Sequence, residues 1–221
     1  ILGLLITNGH LDHIGGIPFI MDRIGNPPVY TQHLTSLMIL KRHEEFPHLP
    51  PLQMKTMEPG GRVVVGGVTI RSFPVTHSIP DSMGIAIATK HGNVVISGDL
   101  RLEHVDGVPT EKEQKQWGKF ASEKNLLFIA DSTNAEKDGF SIPEQRVYDT
   151  LEKVISTVKG RLIIGTFSSQ FERMIHIIKT CEKLGKKIVL EGRSIRTNLE
   201  IAERGEIFKT QPGTIIQGED I

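Results

Sequence analysis

Cysteine is almost missing from this chain: Cys181 is the only one in 221 residues. No intramolecular disulfide can form, and that usage fits a reducing compartment such as the cytoplasm. Long hydrophobic runs are missing too. Nothing approaches the roughly 18 apolar residues of a membrane span, and no stretch reads as a secretory leader, so no membrane partner is expected. Charge of one sign is not in excess. The formal net charge of +0 argues against a protein that holds nucleic acid by bulk charge. The balance is slightly uneven, with 12 Lys and Arg against 9 Asp and Glu from residue 151 onward, which permits a polyanionic partner without demanding one. Aromatics are sparse at 5%, and neither repeats nor low-complexity segments occur. The 38% hydrophobic and 24% charged residues that remain describe an ordinary globular chain.

The ends are abrupt. Ile1 stands inside an apolar run, "ILGLLIT", and "GTIIQGEDI" stops just after an apolar pair. Both predict an internal piece of a longer protein. Along the chain, "LGLLIT" predicts a buried strand, "IPFIMDRI" a short helix, "PPVYT" a strand and "LTSLMILKRHEEF" a helix. "RVVVGGVTIRSFPV" predicts two strands around Gly66-Gly67. "MGIAIATKHGNVVISGD" predicts a hairpin turning at His91-Gly92-Asn93, and "NLLFIADSTN" a buried strand. From about residue 145 the pattern becomes alternating helix and strand. Ser141 with Glu144 predicts a capping box for the first helix, and Ser169 with Glu172 caps a second. "RLIIGTF" and "KKIVLEG" read as strands, and "SIRTNLEIAERG" as a third helix. A strand-rich part followed by βαβα units predicts an α/β composite with a parallel-sheet layer in its second part.

Metal-type ligands fall at the ends of three predicted strands: His10, Asp12 and His13 after the first, His77 after "RSFPVT", and Asp99 after "NVVISG". Strand ends present side chains to a shared crevice. Imidazole with carboxylate is the donor set of hydrolytic zinc and manganese sites, and a bridging carboxylate can hold two ions about 3.5–4 Å apart. Taken alone, the His-x-Asp-His loop is as readily a polar turn, and Asp99 a loop cap. The agreement of three strand ends is what favours a metal site. His33, His43, His48, His91, His104 and His176 read as surface, turn or helix-face residues.

"TNGHLDHIGG", "THSIPDS" and "SGDL" resemble metal-binding motifs of the metallo-β-lactamase superfamily. "IADSTNAEKDGFSIPE", "GRLIIGTFSSQFERM" and "VLEGRSIRTNLEIA" resemble its β-CASP branch, and most closely the ribonuclease J family. The resemblance runs in order over essentially the whole chain. It implies an αββα sandwich over residues 1–144, with its N-terminal strands missing, and the start of a parallel α/β β-CASP domain over 145–221. It further implies metal-dependent hydrolysis of RNA phosphodiester bonds, as a 5′-to-3′ exonuclease and an endonuclease of RNA decay and maturation. Two divalent ions are expected, zinc first, with Mn2+ or Mg2+ as alternatives. The implied partner is RNA, 5′-monophosphorylated, and the full-length protein is expected to be a homo-oligomer in the cytoplasm.

Residue by residue, the resemblance gives the first ion to His10 and His77 and the second to Asp12 and His13, with Asp99 bridging them. It makes Asp12 and Asp131 catalytic: Asp12 also steers the attacking hydroxide, and Asp131 orients a histidine that lies later in the family. Ser168, Ser169, Arg193 and Arg196 become phosphate contacts, although helix capping explains the two serines equally well. Asn8 departs from the pattern, standing where the family carries a histidine ligand. The family's general-acid histidine, last metal-binding histidine and C-terminal domain have no counterpart in these residues, so the chain by itself is expected to be inactive. Three rival readings stand beside this one: an RNA-binding paralogue with a crippled metal site, a β-CASP nuclease acting on DNA, and a small-molecule hydrolase.

Overall fold

In the computed structural model, which describes residues 1–220, the opening apolar run forms only a two-residue, half-buried strand, β1 (Leu4–Leu5). It pairs in parallel with β2 (Val29–Thr31), and β2 in turn with β3 (Met54–Thr56). Three helices accompany this small sheet: α1 (Leu11–Ile14), α2 (Ile17–Ile20) and α3 (His33–His43). Pro18 sits in the first turn of α2, where its missing N–H costs nothing. Ile6, Ile14, Ile17, Met21, Val29 and Ile39 form the core between these elements. At the start of α3 the Leu34 N–H donates to Asp81 Oδ2 at 2.7 Å, so an acid 47 residues away caps the helix.

A second, five-stranded sheet is built from β4 (Arg62–Val65), β5 (Val68–Pro74), β6 (Met83–Thr89) and β7 (Gly92–Ile96), followed, after a short ribbon of β8 (His104–Val105) and β9 (Val108–Pro109), by β10 (Asn125–Ile129). Its order is β10-β7-β6-β5-β4, antiparallel except where β10 runs parallel to β7. Helix α4 (Glu111–Ala121), for which the sequence pattern raised no expectation, covers one face. Its Phe120 is buried with Phe73, Val75, Ala86 and Val95, and Trp117 packs at the margin. Gly84 lies under the Phe73 ring, where a Cβ would come within 2.1 Å of Cζ. The two sheets meet where the Met83 N–H donates to Thr7 O at 2.8 Å. Helices and two sheets thus make a mixed α/β arrangement of Ile1–Phe140, the first of two compact units.

Two expectations for this unit are corrected. The hairpin turns at Lys90-His91, because Thr89 pairs with Gly92 and the Thr89 hydroxyl closes the turn by donating to Gly92 O at 2.6 Å. β10 is exposed along its whole length rather than buried. Apolar composition suggested burial, but an edge position decided against it, with β7 on one side.

The second unit, Ser141–Ile221, carries the three expected helices, α5 (Glu144–Thr157), α6 (Phe171–Lys183) and α7 (Arg193–Arg204). Phe171, Met174, Ile178 and Cys181 bury one face of α6, and Leu199, Ile201 and Ala202 are buried on α7. The caps differ from expectation: Pro143 and Gln170 hold the N-cap positions of α5 and α6, not Ser141 and Ser169. Glu144 is instead held by Arg173, which donates from Nε and Nη2 at 2.8 and 2.9 Å. The segments "RLIIGTF" and "KKIVLEG" are not strands. A parallel strand exists only through ladder partners, and among the described residues of this unit the one bridge joins Ile188 to Ile215. No helix among the described residues is long and apolar enough to cross a membrane.

Candidate metal centre

The site is assembled from three turns of the first unit. After β1 the chain passes through Thr7 and Asn8 into α1, with His10 at the N-cap position and Asp12 and His13 within the single turn of helix. His77 follows β5, and Asp99 follows β7. Gly98 makes the Asp99 turn with φ of +62°. A Cβ there would sit 2.8 Å from Thr7 Cβ and 3.1 Å from Met83 O, so glycine allows the two turns to close on each other.

His13 Nε2 lies 2.9 Å from Asp99 Oδ2 and 3.6 Å from Asp12 Oδ2. Ligand atoms of Asp12, His13 and Asp99 all fall within 4.8 Å of one another. His77 Nε2 lies 3.7 Å from the same Asp99 oxygen. The His10 and His77 rings are 4.8 Å apart, and Ser78 Oγ is 3.2 Å from His10 Nε2. The structure therefore brings His10, Asp12, His13, His77 and Asp99 together.

Burial holds the His10 imidazole below its ordinary pKa, with the neighbouring His13 adding to the effect and Asp12 and Asp99 opposing it. Burial lowers His77 too, reinforced by His10. Both rings thus favour the neutral form, which keeps a lone pair to offer a cation. His77 Nε2 is buried and makes no hydrogen bond, an orphaned ring nitrogen 3.7 Å from the Asp99 carboxylate. The donor set fits a divalent metal: imidazoles and carboxylates converge, and one buried ring nitrogen has no other partner.

Asn8 is fully buried, and its Oδ1 accepts the His10 N–H at 3.0 Å. Its amide braces the loop. Asp131, at the end of β10, accepts the Thr133 N–H and hydroxyl at 2.9 and 2.7 Å on Oδ1 and the Leu100 N–H at 3.2 Å on Oδ2. Burial pushes its pKa up, but these hydrogen bonds, with His77 nearby, outweigh burial and lower it. Its backbone N–H donates to Ser97 Oγ at 3.0 Å, so Asp131 is tied to both ends of the Asp99 turn.

Sequence reasoning missed Thr7, whose Oγ1 lies 3.4 Å from His13 Nδ1, and Ser78. The signal for Ser78 was its place beside His77 in "THSIPDS"; for Thr7 there was none beyond adjacency. Ser168 and Ser169 form the turn before α6, and Arg193 and Arg196 stand on the first turn of α7. Asn198 joins the two segments by donating to Ser168 O at 2.7 Å. Arg193 is exposed, whereas Arg196 donates to Leu190 O at 2.9 Å and pairs with Glu191 at 3.7 Å.

Comparison with known proteins adds an independent line. Residues 1–147 match the metallo-beta-lactamase superfamily, and residues 159–221 match the ribonuclease J, beta-CASP domain. Ribonuclease J of Mycoplasma genitalium is 32% identical over 218 residues, covering 99% of this chain and 38% of the relative. Ribonuclease J of Thermus thermophilus is 37% identical over 200 residues, covering 86% and 34%. The chain therefore spans about a third of the length of the curated relatives it matches. Among solved structures, a protein of unknown function from Enterococcus faecalis V583 superposes with a TM-score of 0.69 at 19% identity, over 99% of this chain and 55% of that one, which speaks to the fold alone.

Proposed function

Because this chain belongs to the metallo-β-lactamase superfamily, with ribonuclease J in its β-CASP branch, we propose that it is part of a metal-dependent ribonuclease hydrolysing RNA phosphodiester bonds. The observation that carries the reading is the orphaned His77 Nε2 beside the Asp12–His13–Asp99 cluster. Residues 1–144 are its metallo-β-lactamase domain and 145–221 the start of its β-CASP domain. The action is 5′-to-3′ exonucleolytic and endonucleolytic, in the cytoplasm, where the lone buried Cys181 stays reduced.

His10 and His77 would hold one divalent ion and Asp12 and His13 a second, with Asp99 shared; the imidazole-rich set favours zinc. When bound, such ions make water a nucleophile at neutral pH and neutralise charge on phosphoryl oxygens. Burial keeps His10 and His77 neutral and ready to bind. The exposed Asp12 carboxylate stands at the mouth of the cluster, where it can orient the attacking water and hold its proton. Asp131 steadies the turn that carries Asp99. Ser168, Ser169 and Arg193 supply hydroxyls and a guanidinium for the phosphates of RNA, with Arg196 contributing once released from Glu191.

Asn8 favours a second reading, an RNA-binding paralogue whose metal site is weakened, since an amide oxygen replaces an imidazole. One experiment separates them. Full-length protein and its Asp99→Asn variant are compared for zinc content and for degradation of 5′-monophosphorylated RNA, with single-stranded DNA as a parallel substrate. Loss of zinc and a fall of about 10²-fold in RNA cleavage are expected. RNA binding without cleavage in the unsubstituted protein supports the paralogue, and equal zinc and equal rates in both forms would sink the ribonuclease reading.

A further inference from the structure

Glu113 is an acid with 1% exposure, on a helix whose charged residues otherwise face solvent. Thr110 and Glu113 have the Thr-x-x-Glu spacing of a capping box, and half of one forms: Thr110 Oγ1 accepts the Glu113 N–H at 3.5 Å. The reciprocal bond is pre-empted, because the Thr110 N–H donates to Glu103 O at 2.9 Å. The Glu113 carboxylate is left to turn inward. Its Oε1 accepts the Thr76 hydroxyl, and its Oε2 accepts the Trp117 indole N–H at 3.2 Å. The first turn of α4 also favours negative charge at this point.

Thr76 immediately precedes His77. Its carbonyl accepts the Arg101 N–H at 2.7 Å, two residues beyond Asp99. One residue thus joins α4 through its side chain, the Asp99 loop through its backbone, and His77 through the peptide bond. Burying a carboxylate costs free energy unless partners compensate it, and a helix cap alone would not require this one to leave the surface.

We infer that Glu113 is a positioning residue for the candidate metal centre: through Thr76 it sets the place of His77 opposite Asp99, where Nε2 and Oδ2 are 3.7 Å apart. Ligand-orienting partners of this kind tune metal affinity without touching the ion. The inference rests on the proposed reading of His77 as a ligand, and its test separates the two.

Metal-free full-length protein is titrated with Zn2+ alone against a chromophoric chelator, and the melting temperature of each metal-free form is recorded. His77→Ala serves as the reference for loss of a ligand. Thr76→Val and Glu113→Ala are expected to bind Zn2+ about 10-fold more weakly. Thr76→Ser and Glu113→Gln, which can keep the link, should stay near the unsubstituted affinity. If Thr76→Val lowers the melting temperature yet binds Zn2+ normally while His77→Ala does not, Glu113 is merely structural and the inference is overturned. Normal binding by His77→Ala removes the ligand reading and this inference with it. Should Glu113→Ala fail to fold, Thr76→Val alone decides.

Discussion

Asn8 Oδ1 accepts the backbone N–H of His10 at 3.0 Å, from a side chain with no solvent exposure. The Asn8 amide is thereby occupied as a brace for the backbone of His10 at the candidate metal centre. Asn8→Ala would leave the His10 N–H without that acceptor and cost about 1–3 kcal/mol. Asn8→His restores an imidazole next to His10 and is expected to raise zinc content toward two ions per chain. Thermal melts of the metal-free variants and elemental analysis of the loaded ones check the two outcomes separately. Equal zinc content in Asn8 and Asn8→His proteins would mean that the amide does not limit the site.

Arg71 on β5 grips Glu123, donating from Nη1 to Oε1 at 3.1 Å and from Nη2 to Oε2, and Asn93 adds a bond to Oε2 at 2.8 Å. The Arg71 hydrogen bonds are the main reason the Glu123 carboxyl titrates below its ordinary value of 4.5, opposed in part by burial and helped by Arg71 charge and Asn93. A depressed acid stabilises the fold above its unfolded pKa and loses that contribution as pH falls through the folded one. The melting temperature should therefore drop as pH is lowered below about 4.5, and the drop should be shallower in Glu123→Gln. Parallel melting curves from pH 7 to pH 3 measure it, and superimposable acid limbs would contradict the account.

Gly84 leaves room for the tip of the Phe73 ring, and a Cβ would meet Cζ at 2.1 Å. Phe73 is itself wedged against Phe120, with ring centroids 4.1 Å apart, so it cannot retreat freely. Gly84→Ala should destabilise the first unit by about 1–3 kcal/mol through overpacking. Chemical denaturation of the two forms gives the value, and an unchanged midpoint would show that Phe73 has room to move.

β10 offers an exposed edge of Leu126, Leu127, Phe128 and Ile129, each about half exposed. Such an edge invites pairing with another chain. The 221 residues expressed by themselves are expected to self-associate, and Leu127→Lys should reduce that association. Light scattering across a concentration series reports both, and a monodisperse monomer at high concentration would remove the concern.

Where an element is held by contacts three or four residues apart, the sequence was enough. The stripes of α6 and α7, the paired strands about Gly66-Gly67, and the grouping of His10, Asp12 and His13 on one turn all follow from local spacing. Motif order named the superfamily for the same reason, since motifs are local strings. Contacts across long separations were settled only in three dimensions. Asp99 reaches His13 over 86 residues because Gly98 permits a turn that β-carbons would block. Glu113 turns toward Thr76 because Glu103 O has already taken the cap N–H. β10 is exposed, and "RLIIGTF" is no strand, because burial and ladder bonds belong to neighbours and not to the segment's own apolar residues. Propensity is a property of a few adjacent side chains; a shared site and a sheet are properties of whatever the rest of the chain brings alongside.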